Sequence, residues 1–207
     1  MKVACVVLAG GAGERFGGGK LGRVLGGRPL LAYALDAAAA AGGDIVVVVG
    51  NSPVAADFAR AWASTRPTGV RIVAAVDQTE GMGASLRAGL EAVDTDADGA
   101  FVFLGDMPFI PIDIIPLLTA ALAGGAAASA PTFGGVRGHP VLLGRRLIDR
   151  RALITGDRGA GELLSLEPGV VLVEADSDGV LFDVDTPADL AAASARISRA
   201  PLYPTLA

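Results

Sequence analysis

What most limits the fold of this chain is a recurrence of short, nearly continuous apolar runs, at residues 3–8, 45–49, 70–76 and 100–104. Runs of that length, without steady polar alternation, are what strands covered on both faces look like. Helix-length segments separate them, at residues 29–41, 53–63, 83–93 and 111–123. Three of the four open on proline, which suits a first helical turn because its missing N–H is not needed there. Such a series predicts an α/β fold: a three-layer, Rossmann-like, mostly parallel sheet with right-handed crossovers and helices on both faces.

The second half is less regular. Strands are expected at 126–131 and 139–143, joined by the Gly-rich turn Gly134-Gly135-Val136-Arg137-Gly138. Helices at 145–153 and 160–166, a strand at 170–174 and a short strand at 181–184 follow. Thr186 then stands as N-cap to a helix over 187–197, with Asp189 at its third position, a reciprocal capping arrangement. No repeat or separating linker is visible, and 207 residues suit one core. A single domain over 1–197 is expected, with 198–207 a loose C-terminal tail.

Composition narrows the function. Apolar residues make up 52% but aromatics only 5%, which suits short strands under Ala-rich helices. Asp and Glu outnumber Lys and Arg by 22 to 17, against a general nucleic-acid binder. Cys5 is the only cysteine and His139 the only histidine. One cysteine excludes an internal disulfide framework and a multi-cysteine zinc site. Ser-His-Asp chemistry would have to run through His139, and no G-x-S-x-G turn supplies a nucleophile. No apolar run approaches the roughly 20 residues that span a bilayer. The opening segment leads into a Gly-rich loop rather than a cleavage site, so it reads as a first strand and not a signal peptide. A cytoplasmic protein without membrane contact is expected.

That loop runs Leu8-Ala9-Gly10-Gly11-Ala12-Gly13-Glu14-Arg15-Phe16-Gly17-Gly18-Gly19-Lys20. A P-loop needs Ser or Thr after its Lys, and Leu21 follows here. A dinucleotide loop needs a third glycine where Phe16 stands, and an acid after the second strand where Gly50-Asn51 stands. What remains is a flexible loop carrying Arg15 and Lys20 at the carboxyl end of the first strand, the ligand-binding edge of an open α/β sheet. Glycines let amides approach an anion and the cations neutralise it; a merely mobile connection is the other reading. Lys20 is expected to face solvent.

The fourth strand ends at Gly105-Asp106-Met107-Pro108. A carboxylate at the end of a central strand is costly unless it binds something, although a turn or N-cap Asp is the alternative. Asp183 and Asp185 arrive later, on one side of their predicted strand. Two carboxylates beside a triphosphate loop would make a magnesium site.

Together these segments resemble the MobA-like nucleotidylyltransferases, and within them the molybdenum-cofactor cytidylyltransferase branch. The matching motifs are Leu8-Ala9-Gly10-Gly11 with Arg15, Phe16, Gly17 and Lys20, then Gly81-Met82-Gly83-Ala84-Ser85-Leu86 and Gly105-Asp106-Met107-Pro108. Gly138-His139-Pro140, Gly156-Asp157-Arg158-Gly159-Ala160 and Asp183-Val184-Asp185-Thr186-Pro187 complete the order. The chain departs from the pattern at Gly22-Arg23, where Leu and Pro are usual, and at Phe16, where Met is usual. Gly10-Gly11 is closer to the guanylyltransferase branch.

The resemblance implies a fold of the nucleotide-diphospho-sugar transferase type and an NMP transfer onto a small phosphorylated acceptor with release of pyrophosphate. It implies CTP and molybdopterin as substrates, Mg2+ as cofactor, and handover to a molybdoenzyme or its chaperone. Lys20, Arg15 and Asp106 would be catalytic, with Asp106 and Asp185 on the metal. Leu8, Ala9, Gly10, Gly11, Gly13, Lys20, Asn51, Asp77, Gly81, Met82 and Ser85 would bind the nucleotide, and His139 and Arg137 the acceptor. The rival readings are guanylyl transfer, a sugar-phosphate or phospholactate acceptor, and a non-catalytic cofactor-binding domain.

Overall fold

A computed structural model describes residues 1–11, 16, 18–66, 69–75, 81–154, 156, 161–165 and 167–199. Strand β1 (Val3–Ala9) leads to a 3-10 turn at Lys20–Gly22 and a small hairpin, β2 (Val24–Leu25) and β3 (Arg28–Pro29). The chain then runs α1 (Leu30–Ala41), β4 (Ile45–Val49), α2 (Pro53–Ser64), β5 (Val70–Ala74), α3 (Gly81–Glu91) and β6 (Gly99–Leu104). The second half holds α4 (Ile114–Ala123), β7 (Ala128–Phe133), β8 (Val136–Arg137), β9 (Val141–Gly144) and α5 (Arg145–Asp149). It closes with α6 (Gly161–Ser165), β10 (Val170–Glu174) and α7 (Pro187–Arg199). Among the described residues no helix is long and apolar enough to cross a membrane.

The main sheet runs β10-β7-β9-β6-β1-β4-β5, with β8 added to β7. β6, β1, β4 and β5 are parallel, as are β7 and β10. β9 is antiparallel to both its neighbours. Its orientation has a simple cause: parallel neighbours need a crossover of about a dozen residues, and the stretch between β7 and β9 is too short for one.

β1 shows why helices must cover both faces. Its odd residues Cys5, Val7 and Ala9 enter one cluster with Leu31 and Leu35 of α1, Ala55 and Trp62 of α2 and Leu118 of α4. Its even residues Ala4, Val6 and Leu8 enter a second with Leu86 and Leu90 of α3 and Leu147 of α5. Period-two alternation divides the strand between two cores, and each large side chain buried there contributes about 1.5–3 kcal/mol. The expected mostly parallel three-layer sheet is the fold observed.

Several boundaries differ from the sequence reading. Residues 181–184 form no strand: a 3-10 turn at Asp178–Val180 leads into a stretch without regular secondary structure. The helix expected over 145–153 divides into α5 and a 3-10 turn at Arg151–Leu153. β5 is an edge strand, only partly covered. The Gly-rich turn expected after β7 also holds a further strand, β8, paired back on β7 through Gly134 and Gly135, whose φ of 58° and 80° suit a two-residue hairpin. α7 continues through Arg199, beyond the expected end at 197; positions 200–207 of the expected tail lie outside the described residues.

Candidate active site

β1, β4 and β6 are parallel and in register, so their carboxyl ends deliver Gly10-Gly11, Gly50-Asn51 and Gly105-Asp106 to one edge. The chain leaves β1 towards β4 and leaves β6 towards the other half of the sheet. That divergence opens a crevice between β1 and β6, where open α/β sheets bind ligands.

Lys20 lies in this crevice. Its Nζ donates to Asp106 Oδ2 at 2.7 Å and to Asp185 Oδ1 at 2.8 Å, although Asp185 is 165 positions away in sequence. The residue is only 8% exposed, which corrects the expectation of a solvent-facing loop lysine. Burial alone would lower the ammonium's pKa, but Asp106 and Asp185 outweigh it and hold the group above its ordinary value. It is therefore a fixed positive charge.

The backbone beneath Lys20 is anchored by the two residues that depart from the family pattern. The 3-10 turn places Gly22 under Val54 of α2, where a Cβ would come within 2.3 Å of Val54 Cγ1. Arg23 donates from its amide to Lys20 O at 3.0 Å and from Nη2 to Phe16 O at 3.4 Å. Gly22 thus lets the turn pack on α2, and Arg23 ties the loop back to it.

Asp185 is held from the other side by α7. Asp189 Oδ2 accepts from the Asp185 amide, the Thr186 amide and Thr186 Oγ1, while the Asp189 amide donates to Thr186 Oγ1. The Val184 amide donates to Asp106 O at 3.1 Å, which brings the two acidic segments together. Desolvation, then the charges of Asp185 and Asp106, hold the Asp183 carboxyl above its ordinary range. Among the described residues no group of three or more His, Cys, Asp or Glu side chains is placed to hold a metal ion. Two convergent carboxylates nevertheless fit magnesium, which keeps several waters and takes one or two carboxylates together with substrate phosphates.

The expected nucleotide residues are brought to the same edge in part. A Cβ at Gly10 would meet Ser85 Oγ at 3.0 Å, so the end of β1 rests against the first turns of α3, and Ser85 is buried there. Ala9 is buried in the core, so only its main chain can face a ligand. Gly11 and Asn51 are exposed at the edge. Gly81 opens α3 with φ 75°. Arg15, expected to be catalytic, and Gly13 and Asp77, expected to bind the nucleotide, lie outside the described residues.

Leu8 and Met82, expected at the nucleotide, meet Arg137 and His139, expected at the acceptor, around one cavity of about 190 Å3. Leu86, the last residue of the Gly81 to Leu86 motif, also lines it, as do Leu104, Val141 and Leu164; these three carry no sequence signal apart from their place in predicted elements. His139 is half-buried, with Nδ1 3.4 Å from Val102 O and its amide donating to Val180 O at 2.9 Å. Burial pushes its imidazole below the ordinary value, so the ring is neutral at pH 7. A larger open depression of about 900 Å3 lies at the opposite end of the sheet, beside Met1, Asp98 and Gly169. It contains none of the expected site residues.

A crevice at the carboxyl edge of a mostly parallel sheet, with a buried lysine and two acids beside it, places the chain in the class of open α/β proteins that bind ligands at that edge. Residues 5–173 match the MobA-like NTP transferase domain, and the chain belongs to that family. It is 32% identical over 206 residues to a molybdenum cofactor guanylyltransferase from Rhodopseudomonas palustris (strain HaA2), covering 95% of this chain and 92% of that protein. A homologue of Mycobacterium tuberculosis Rv0371c from Mycobacterium sp. strain JC1 superposes with a TM-score of 0.78 at 28% identity, covering 96% and 99% of the two chains. Rv0371c from M. tuberculosis H37Rv superposes with a TM-score of 0.76 at 26% identity, covering 94% and 98%. The chain is thus a nucleotidyltransferase of the MobA-like family.

Proposed function

We propose that the protein transfers CMP from CTP to molybdopterin in a magnesium-dependent reaction that releases pyrophosphate. The observation that carries the reaction class is the convergence of Lys20, Asp106 and Asp185 at the crevice between β1 and β6. A phosphate-monoester acceptor has its second pKa near 6 and is already a dianion at neutral pH. It can attack the α-phosphorus without a general base, in keeping with a neutral, half-buried His139. Lys20 supplies positive charge to the polyphosphate and to the departing pyrophosphate. Asp106 and Asp185 would hold the metal, which supplies neutralisation of phosphate charge when bound. The chain's own contribution is therefore position and fixed charge.

The cytidylyl reading rests on the motifs Gly81 to Ser85, Gly138-His139-Pro140 and Asp185-Thr186-Pro187. One observation favours GMP transfer instead: a curated relative is a guanylyltransferase. Gly10, the glycine that is closer to that branch, does not add to it. Its absent methyl is directed at Ser85 rather than at open space, so this glycine serves helix packing and does not widen the cleft for a purine. The deciding measurement is kcat/KM for CTP and for GTP with molybdopterin and Mg2+. A site built to hydrogen-bond one base can discriminate by up to about 10⁴-fold. Preference for GTP would reverse the base assignment. Turnover with a sugar phosphate but not molybdopterin would reverse the acceptor.

A further inference from the structure

Lys20 stands on the line of contact between the two acids that the proposed function gives to the metal. It spends two of its three donors on Asp106 and Asp185, at 2.7 and 2.8 Å, while its side chain is 9% exposed. Both acids approach one nitrogen from different segments, the turn after β6 and the stretch before α7, so the nitrogen sits where a shared cation would be bound. The main chain of Lys20 cannot back away: its turn is pinned by Arg23 N to Lys20 O and by the fit of Gly22 under Val54. Only the flexible four-carbon stem can carry the ammonium elsewhere.

We propose that Lys20 and a divalent cation compete for Asp106 and Asp185, and that nucleotide phosphates settle the competition by drawing the Lys20 ammonium onto themselves. The inference rests on the metal assignment above and adds an order to it. A cation arriving alone must displace a buried positive charge and break two charge-assisted hydrogen bonds. A cation arriving with a triphosphate meets acids whose lysine has an alternative anionic partner. Metal and nucleotide then strengthen each other's binding by the same factor, as any coupling between two sites requires. The consequence runs against first expectation: removing the catalytic lysine should improve metal binding in the absence of nucleotide.

The test is a calorimetric titration of metal-free protein with Mn2+, using wild type, Lys20→Met and Lys20→Met/Asp106→Asn. Lys20→Met should bind Mn2+ about tenfold more tightly than wild type, within the usual range of such couplings, and adding Asp106→Asn should abolish the gain. A folded Lys20→Met with no gain overturns the competition and leaves the metal assignment standing. A gain that survives Asp106→Asn overturns the metal assignment, and the competition with it. The wild-type protein gives a second measurement, because Lys2 and Lys20 are its only lysines. With a 13Cε-lysine label, the Lys20 signal should stay in place with Mg2+ alone and shift with Mg2+ plus an unreactive triphosphate analogue. Lys2, at the far end of β1, serves as the control. An equal shift with Mg2+ alone would overturn the proposal even where the variants fail to fold.

Discussion

Asp189 accepts a hydrogen bond from the backbone amide of Asp185 at 3.1 Å, so the first turn of α7 holds the main chain of the acid that pairs with Lys20. The same oxygen accepts from the Thr186 amide and hydroxyl, and these bonds hold the Asp189 carboxyl below the usual carboxylate range.

Removing that carboxylate separates capping from chemistry. Asp189→Ala should lower the melting temperature by a few degrees, as the loss of a helix cap does, and reduce kcat with little change in the KM for nucleotide. The sign of the pH dependence follows from the depressed pKa. Its stabilisation is present above the ordinary carboxylate value, about 4, and is lost as pH falls through the lower folded value. Melting curves of variant and wild type should therefore converge on acidification from pH 5 towards pH 2. A constant gap across that range would remove the role given to Asp189.

Asp106→Asn keeps the shape of the side chain and removes its charge. Turnover should fall by about a hundredfold or more, the size of a lost transition-state charge contact, while circular dichroism stays that of wild type. Turnover within a few-fold of wild type would take Asp106 out of the catalytic group.

Lys20→Ala leaves Asp106 and Asp185 facing each other without the ammonium between them. Because Asp185 is 42% exposed, the cost should be about 1–2 kcal/mol, below that of breaking a fully buried pair. Urea denaturation at pH 7 measures it. On the reaction proposed above, the kinetic effect should appear in both the KM for nucleotide and kcat, since the leaving pyrophosphate would lose its counter-charge. Unchanged stability would show that the solvent-facing loop expected from the sequence was nearer the truth.

Cys5 is buried on the β1 face covered by α1, and burial pushes its thiol up to about 12. Native protein should resist alkylation by iodoacetamide at pH 8, and unfolding in urea should expose one reactive thiol. The raised pKa also fixes a sign: stability should decline as pH climbs above the unfolded thiol's value, about 8.5. Rapid alkylation of native protein would contradict the packing of β1 on α1.

Local features were legible from residues alone. The apolar runs at β1, β4 and β6 and the Thr186–Asp189 cap are written in neighbouring positions, and each lies in the structure where its pattern placed it. Long-range features were not. Nothing near Lys20 announces that its partners stand 86 and 165 positions away, and without them a lysine in a Gly-rich stretch reads as solvated. β8 was legible but overlooked. Gly134-Gly135 between Phe133 and Val136 carries the signal of a two-residue hairpin. The strand expected at 181–184 failed for another reason: a short apolar run can record burial alone, here Phe182 edge-on to Phe109 and Val184 fully buried, with no strand beside it to pair.

The segment 178–185 has a consequence for how the protein comes into being. Through Val180 it receives the His139 amide, through Val184 it reaches Asp106, and through Asp185 it reaches Lys20. All three contacts are made by residues translated after every strand of the sheet. A nascent chain can therefore lay down its whole β-structure, as domains do during synthesis, and still lack the second acid and the tie across the crevice. A chain halted between β10 and residue 178 would hold a folded sheet in which Lys20 lacks Asp185 and the crevice lacks the tie from Val184 to Asp106.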